Sequence, residues 1–353
     1  MAVSVFERIN QIRKPKDFIP AVQRWSVALP NRYDRYFVSF YGVQGADAAS
    51  VNVSGFFPWL ANMLALPAAP VVHDHSRFMD EGGLTNHIVA MYWIDPAQYD
   101  AWSNNPNVAR WWDDPARLNE PCGYFRECLT VPLDRQETLY WQDYPAGLSK
   151  ADDVSIYPTP WCGYYGAMRD RIPLAAVEAL ATAETGLGPA TLRDSRNARW
   201  RIHVPHNLAV IRSAAYWGAC DTEQHDDFIT KLRAPLETGM TYLRENAGPT
   251  GCCSLRYQQI CDASGNTEAE AHALGYFLSL SHLENWAEGH PSHHAIFSAA
   301  IARYRKYGKE NQLRTWHEVF VLPAEGQLFE YLNCSPATGL LPYFHAELIE
   351  TSE

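Results

Sequence analysis

No stretch of this 353-residue chain approaches the roughly 18 consecutive apolar residues of a membrane helix. Its opening, "MAVSVFERINQIRKPKDFIP", lacks the apolar run of an export signal. Positive charge is also scarce: 29 Lys and Arg stand against 40 Asp and Glu, a net −11 with no basic tract. Phosphate backbones are gripped by clustered Lys and Arg, so neither a nucleic-acid nor a membrane partner is expected. The eight cysteines (122, 128, 162, 220, 252, 253, 261 and 334) form no CxxC pair and no zinc-finger spacing. They read as buried thiols of a cytoplasmic protein.

The rest of the composition is that of a globular chain, with 47% hydrophobic and 20% charged residues, enough for one large domain or two medium ones. Aromatics reach 13%, with 12 Trp. That content suits a wide apolar pocket or a flat cofactor, and equally a large core.

The chain repeats itself. "YWIDPAQYDAW" (92–102) lies against "YFLSLSHLENW" (276–286), its end Tyr and Trp matching at an offset of 184. "FRECLTVPLDRQETLY" (125–140) lies against "WHEVFVLPAEGQLFEY" (316–331), pairing Glu127 with Glu318, Pro132 with Pro323, Gln136 with Gln327 and Tyr140 with Tyr331 at an offset of 191. Matches in the same order suggest a duplication.

The second half reads as a strand at 207–214, a helix at 221–248 kinked by Pro235, a hairpin of strands 253–261 and 272–280 around a turn at 262–266, a helix from about 282 to 306, and a strand at 315–322. That is β-α-β-β-α-β, the ferredoxin-like order. The first half reads likewise, with strands at 36–43, 87–94 and 123–131, helices near 57–65 and 96–112, and a turn at 80–83. The expected class is α+β: two ferredoxin-like halves packing their sheets face to face into an α+β barrel. The expected parts are an N-terminal extension (1–30), a first half (31–150), an irregular connecting segment (151–200) and a second half (201–345).

Four of the 13 histidines crowd into "HPSHHAIFSAAIARYRKYGKENQLRTWHEVFVLP" (290–323). On a helix, Ile296, Phe297, Ala300 and Ile301 share the face of His293, so His293 points inward. Such a residue is either a hydrogen-bonded core histidine or a metal ligand. His290 and His294, four apart, have zinc-pair spacing, but position 291 is Pro where HExxH has Glu, and no third ligand is evident. "HDH" at 73–75 reads as a polar loop. His317 opens an apolar strand, and its counterpart in the first half is Arg126.

"HPSHHAIF", "WHEVFVL", "QLFEYLNCSPATGLL" (327–341), "YYGAMRDRIP" (164–173) and "NLAVIRSAAYW" (207–217) together resemble the haem-containing aldoxime dehydratases (phenylacetaldoxime dehydratase-like), over residues 30 to 342. The resemblance implies a dimeric α+β barrel, a homodimer, haem b with ferrous iron in the active state, and conversion of R–CH=N–OH to R–C≡N and water. It implies His293 as axial haem ligand, His317 as the acid-base group, Ser213 as the hydroxyl holding the oxime OH, Arg169 as the arginine of the "MR" motif, and Glu137 as a supporting carboxylate. A histidine with its ordinary pKa near 6.5 can act as acid and then as base near neutral pH. A few extra residues around 306–311 depart from the family pattern. The rivals are a peroxidase or chlorite-decomposing enzyme on a similar barrel, a haem-binding or gas-sensing protein, and a zinc hydrolase on His290 and His294.

Overall fold

The computed structural model describes residues 6–262 and 265–352, so residues 263 and 264 of the expected 262–266 turn lie outside it. Strand β1 (Arg24–Ala28) comes first, followed by β2 (Arg35–Gly45), helices α1 (Ala48–Asn52) and α2 (Phe56–Leu64), β3 (Val72–Met79), β4 (Thr85–Trp93), α3 (Pro96–Ser103), α4 (Pro106–Asp113), β5 (Gly123–Pro132) and β6 (Gln136–Leu139). The connecting segment holds β7 (Ser155–Thr159) and the single turn α5 (Ala167–Arg171). Then come β8 (Ala198–His203), β9 (Leu208–Tyr216), α6 (Thr222–Phe228), α7 (Ala234–Glu245), α8 (Ala247–Thr250), β10 (Cys252–Cys261), β11 (Thr267–Phe277), α9 (Leu280–Gly289), α10 (Pro291–Tyr307), β12 (Arg314–Leu322), β13 (Leu328–Leu332) and β14 (His345–Thr351).

Twelve strands form one antiparallel sheet in the order β14-β8-β13-β5-β2-β4-β3-β10-β11-β9-β12-β6, with β1 and β7 in a separate pair. Within it, β5-β2-β4-β3 and β12-β9-β11-β10 repeat one strand order in the two halves, which join edge to edge at β3 and β10. The short strands are exchanged: β6 follows the first half but pairs with β12, and β13 follows the second half but pairs with β5. Strand β2 is apolar on both faces because both are covered. Tyr36, Val38 and Phe40 enter a core shared by the halves, while Phe37, Tyr41 and Val43 pack under α2–α4.

Proline sets several boundaries. The single helix expected at 282–306 is two, α9 and α10, because His290 before Pro291 is extended (φ −99°, ψ 134°). The helix expected at 96–112 breaks the same way at Asn105 before Pro106. The helix expected at 221–248 contains a π-helical turn over Ile229–Arg233, just ahead of Pro235. The "HDH" stretch is part of β3, with Asp74 bound to Arg212 at 3.0 Å and Lys150 at 2.7 Å. The extra residues at 306–311 form the end of α10 and a 3-10 turn, Gly308–Glu310.

The repeated residues build the shared core. Glu127 accepts from Tyr276 (2.6 Å), Tyr331 (2.6 Å) and both Nη atoms of Arg256 (2.7 Å each). Its counterpart Glu318 accepts from Tyr92 (2.6 Å), Tyr140 (2.5 Å) and the Leu148 N–H (2.8 Å). Gly147, at φ 47°, has no side chain to collide with that carboxylate. Each carboxylate thus takes two tyrosines from the opposite half. Burial would raise the pKa of Glu127, but Arg256 and the two hydroxyls outweigh it and hold the carboxyl below its ordinary value.

Residues 6–22 cross over the connecting segment. Ile9 and Asn10 donate backbone N–H groups to Ala176 O at 3.0 and 2.9 Å. Arg13 and Lys14 donate theirs to the buried carboxylate of Asp170 at 3.0 Å, which also accepts from Tyr164 OH at 2.8 Å. A Cβ on Gly166 (φ 89°) would come within 2.8 Å of the Arg13 side chain. Among the described residues no helix is long and apolar enough to cross a membrane.

Removing the charge at position 127 leaves a buried guanidinium unmatched. Glu127→Gln is expected to lower stability by about 3–5 kcal/mol, and Tyr276→Phe by about 1 kcal/mol, both read from urea-unfolding midpoints. Equal losses for the two variants would refute this account of the network.

Candidate functional site

A cavity of about 340 Å³ lies between the second half's sheet and helices α7, α9 and α10, with the 163–171 segment along one side. Register builds the sheet wall. Ala273 on β11, Ser213 on β9, His317 on β12 and Leu139 on β6 are successive cross-strand partners, so they share one face. Glu137, two residues before Leu139, shares it too.

The same row in the first half reads Val89, Tyr41, Arg126 and Glu330. There Tyr41 meets Trp102 and Trp112 edge-on at 5.8 and 5.7 Å. Large side chains fill one half where alanine and serine leave the other open.

Helix α10 is the facing wall. His293, Ile296, Phe297, Ala300 and Ile301, one helical stripe, all line the cavity. The His293 ring packs edge-on against Trp286 at 4.8 Å, and its Nδ1 is buried with no hydrogen-bond partner among the described residues. Burial pulls its pKa down to about 4, while the Ala287 backbone acts the other way. The ring is neutral near pH 7, the form that ligates a metal.

Its neighbours are otherwise engaged. His290 caps α10 through Nδ1, which accepts the Ser292 N–H at 3.2 Å, and stacks on Tyr242 at 3.8 Å. His294 Nε2 meets the Glu288 carbonyl at 2.6 Å. Among the described residues no group of three or more His, Cys, Asp or Glu converges on a metal site. The zinc-pair reading therefore has no third ligand.

On the sheet wall, His317 Nε2 lies 2.9 Å from Glu137 Oε1 and 2.9 Å from Arg171 Nη2. Arg171 Nε donates to Glu137 Oε2 at 2.7 Å, and Nη1 donates to Trp161 O. One ring nitrogen cannot accept from Arg171 and donate to Glu137 at once, so its proton decides which contact is a hydrogen bond. His317 Nδ1 takes no partner among the described residues. Burial would raise the pKa of Glu137, but Arg171 first and then His317 hold it down at about 2.

The sequence places Arg169 at this site, but the structure does not bring it there. On the single turn α5, residues two apart point to nearly opposite sides. Arg169 Nη2 pairs with Glu284 at 2.6 Å and with Ser281 Oγ at 3.2 Å, and Arg171 occupies the position beside His317. Both arginines stand in "MRDR", so the motif signalled the segment without choosing between them. Ser213, His317 and His293 line the cavity, and Glu137 stands behind His317 on the same sheet face.

A slot with one apolar helical wall, one wall of small side chains, and a neutral imidazole with an unsatisfied nitrogen fits a flat iron porphyrin. The chain matches the model of the haem-containing dehydratases over residues 39–340.

It belongs to that family.

The chain is 32% identical to the aliphatic aldoxime dehydratase of Pseudomonas chlororaphis over 331 residues, 93% of each chain. It is 31% identical to the phenylacetaldoxime dehydratase of Bacillus sp. (strain OxB-1) over 346 residues, 95% of each. Its fold matches a crystal structure of an aldoxime dehydratase with a TM-score of 0.86 at 32% identity, over 95% of both chains. It also matches an aldoxime dehydratase in complex with butyraldoxime, with a TM-score of 0.85 at 30% identity, over 95% of this chain and 92% of that one. The chain is a dehydratase and haem is its cofactor. The peroxidase-type, gas-sensing and zinc-hydrolase alternatives give way.

The folded-state pKa of Glu137 lies below its unfolded value, so its stabilisation is present above about pH 4.5 and lost as pH falls toward 2. The stability gap between wild type and Glu137→Gln, from urea unfolding, is expected to be flat between about pH 5 and 7. It is expected to narrow progressively as the pH is taken from about 5 to 3. A gap unchanged at pH 3 would contradict the ionised pair.

Proposed function

We propose that the chain dehydrates aldoximes, R–CH=N–OH, to nitriles and water, with haem b held by His293. The observation that carries this reading is the knot of Arg171, Glu137 and His317 beside Ser213, on the wall opposite His293. The similarity to enzymes named for aldoximes supports the substrate class.

Ferrous haem, when bound, supplies an iron centre for the oxime nitrogen and electron density for the weakening N–O bond. The protein moves the protons. Ser213 Oγ donates to the oxime oxygen and orients it. His317, as imidazolium, keeps Nε2–H on Glu137 and gives its Nδ1 proton to the departing oxygen, so the N–O bond breaks and water leaves. Neutral Nδ1 then takes the C–H proton as the C≡N bond completes, which restores the imidazolium. No net oxidation or proton uptake occurs. Glu137 and Arg171, each 2.9 Å from Nε2, fix the ring's orientation. Arg171 therefore takes the supporting role expected of Arg169.

The two halves, 31–150 and 201–345, are read as ferredoxin-like units forming an α+β barrel-type domain, joined by 151–200. Their common strand order and the core they share support this. We read 1–30 as an N-terminal extension, of which residues 6–22 lie over the connecting segment, and the protein as a cytoplasmic homodimer. The edge strand β14, with Leu348 and Ile349 exposed, supports a second copy docking there.

The test is anaerobic. Haem-loaded protein reduced with dithionite is expected to form nitrile from aryl or alkyl aldoximes. No nitrile from any of them, with haem fully bound, would end the proposal. His293→Ala is expected to lose haem. His317→Ala is expected to keep haem and bind oxime while kcat falls roughly 10²–10⁴-fold. Arg171→Gln is expected to lower kcat at least tenfold, whereas Arg169→Gln leaves it within about threefold; the reverse order would return the role to Arg169.

A further inference from the structure

Arg24, the first residue of β1, lines the cavity and is 6% exposed. Its Nε donates to Tyr140 O at 3.1 Å, its Nη2 donates to Thr315 O, and its guanidinium lies 4.7 Å from the Trp141 ring centroid. Among the described residues no carboxylate pairs with it, and Nη1 has no hydrogen-bond partner. The other arginine and the one carboxylate on the cavity wall are both matched, Arg171 by Glu137 and Glu284 by Arg169. Nearby Arg314 is taken up by Asp143 at 2.7 Å. Among the described residues, the cavity therefore carries one cation without a counter-charge.

A guanidinium does not shed its proton, and a buried charge is tolerated when it is paired. Its counter-ion must then enter with whatever fills the cavity. An aldoxime and a nitrile are both uncharged, which leaves the cofactor. Haem b carries two carboxylates, and a planar fork of N–H donors matches a carboxylate.

We propose that Arg24 is the anchor for a haem carboxylate, with Nη1 as donor, so that the carboxylate-bearing edge of the cofactor lies toward β1 and the Thr315 end of β12. The inference rests on haem b occupying this cavity. It also explains why β1 lies where it does, since a strand outside the main sheet closes the charge balance of the pocket.

Two carbonyl contacts make Arg24 a structural staple as well, so the test separates the roles with the cofactor itself. Apo-protein is titrated with haem and with haem dimethyl ester, following the Soret band, for wild type and Arg24→Met. Wild type is expected to prefer the free acid by about ten- to a hundredfold, and Arg24→Met to lose about tenfold of that preference. Arg24→Gln, which can still donate to a carbonyl, is expected to lose as much and serves if Arg24→Met misfolds. A variant that weakens both porphyrins equally, or keeps the wild-type preference, overturns the assignment. A wild type that yields a Soret band with neither porphyrin would instead overturn the haem reading.

Discussion

Strand β12 serves two purposes on its two faces, and the rest of the molecule is organised around that division. A strand sends successive side chains to opposite sides, so Glu318 enters the shared core while His317 faces the cavity. Glu318 is held by two tyrosine hydroxyls and a backbone N–H from separate parts of the chain. Those bonds fix the register of β12 against β9 and β6. A slip of one residue would bury the imidazole and expose the carboxylate, so the core carboxylate specifies where the reactive ring stands.

The duplication makes a comparison within one molecule. Both halves place a row of four residues across equivalent strands, and both cover that face with helices. In the first half the row is bulky and Trp59, Trp102 and Trp112 complete a dense core. In the second half, Ala273 and Ser213 stand where Val89 and Tyr41 stand in the first. The open half forgoes that burial, and the two buried carboxylate networks tie it to its filled twin.

Much of this was legible in sequence. The matched Glu, Tyr and Trp positions mark the duplicated scaffold, because each sits at a fixed place on a strand or helix. The stripe of His293, Ile296, Phe297, Ala300 and Ile301 follows from helical geometry alone. Arg171 was not legible, because a one-turn helix in an irregular connector has no periodicity to separate it from Arg169. The exchange of β6 and β13 was hidden too, since a four- or five-residue strand says nothing about which half it joins. Arg24 was missed for a related reason: its surroundings come from Tyr140, Trp141 and Thr315, all distant in sequence. The break before Pro291 was readable in principle, because proline at a helix start forces the preceding residue to extend.

The N-terminal segment binds Asp170 across 157 residues of chain, and the next residue is Arg171. The side of the cavity that carries Arg171 is thus pinned by a contact of long sequence separation. Arg13, Lys14 and Asp170 do not line the cavity, yet the guanidinium beside His317 owes its position to them. Damage to a strand-free stretch far from the chemistry would therefore be felt at the reactive ring, passed on through one carboxylate.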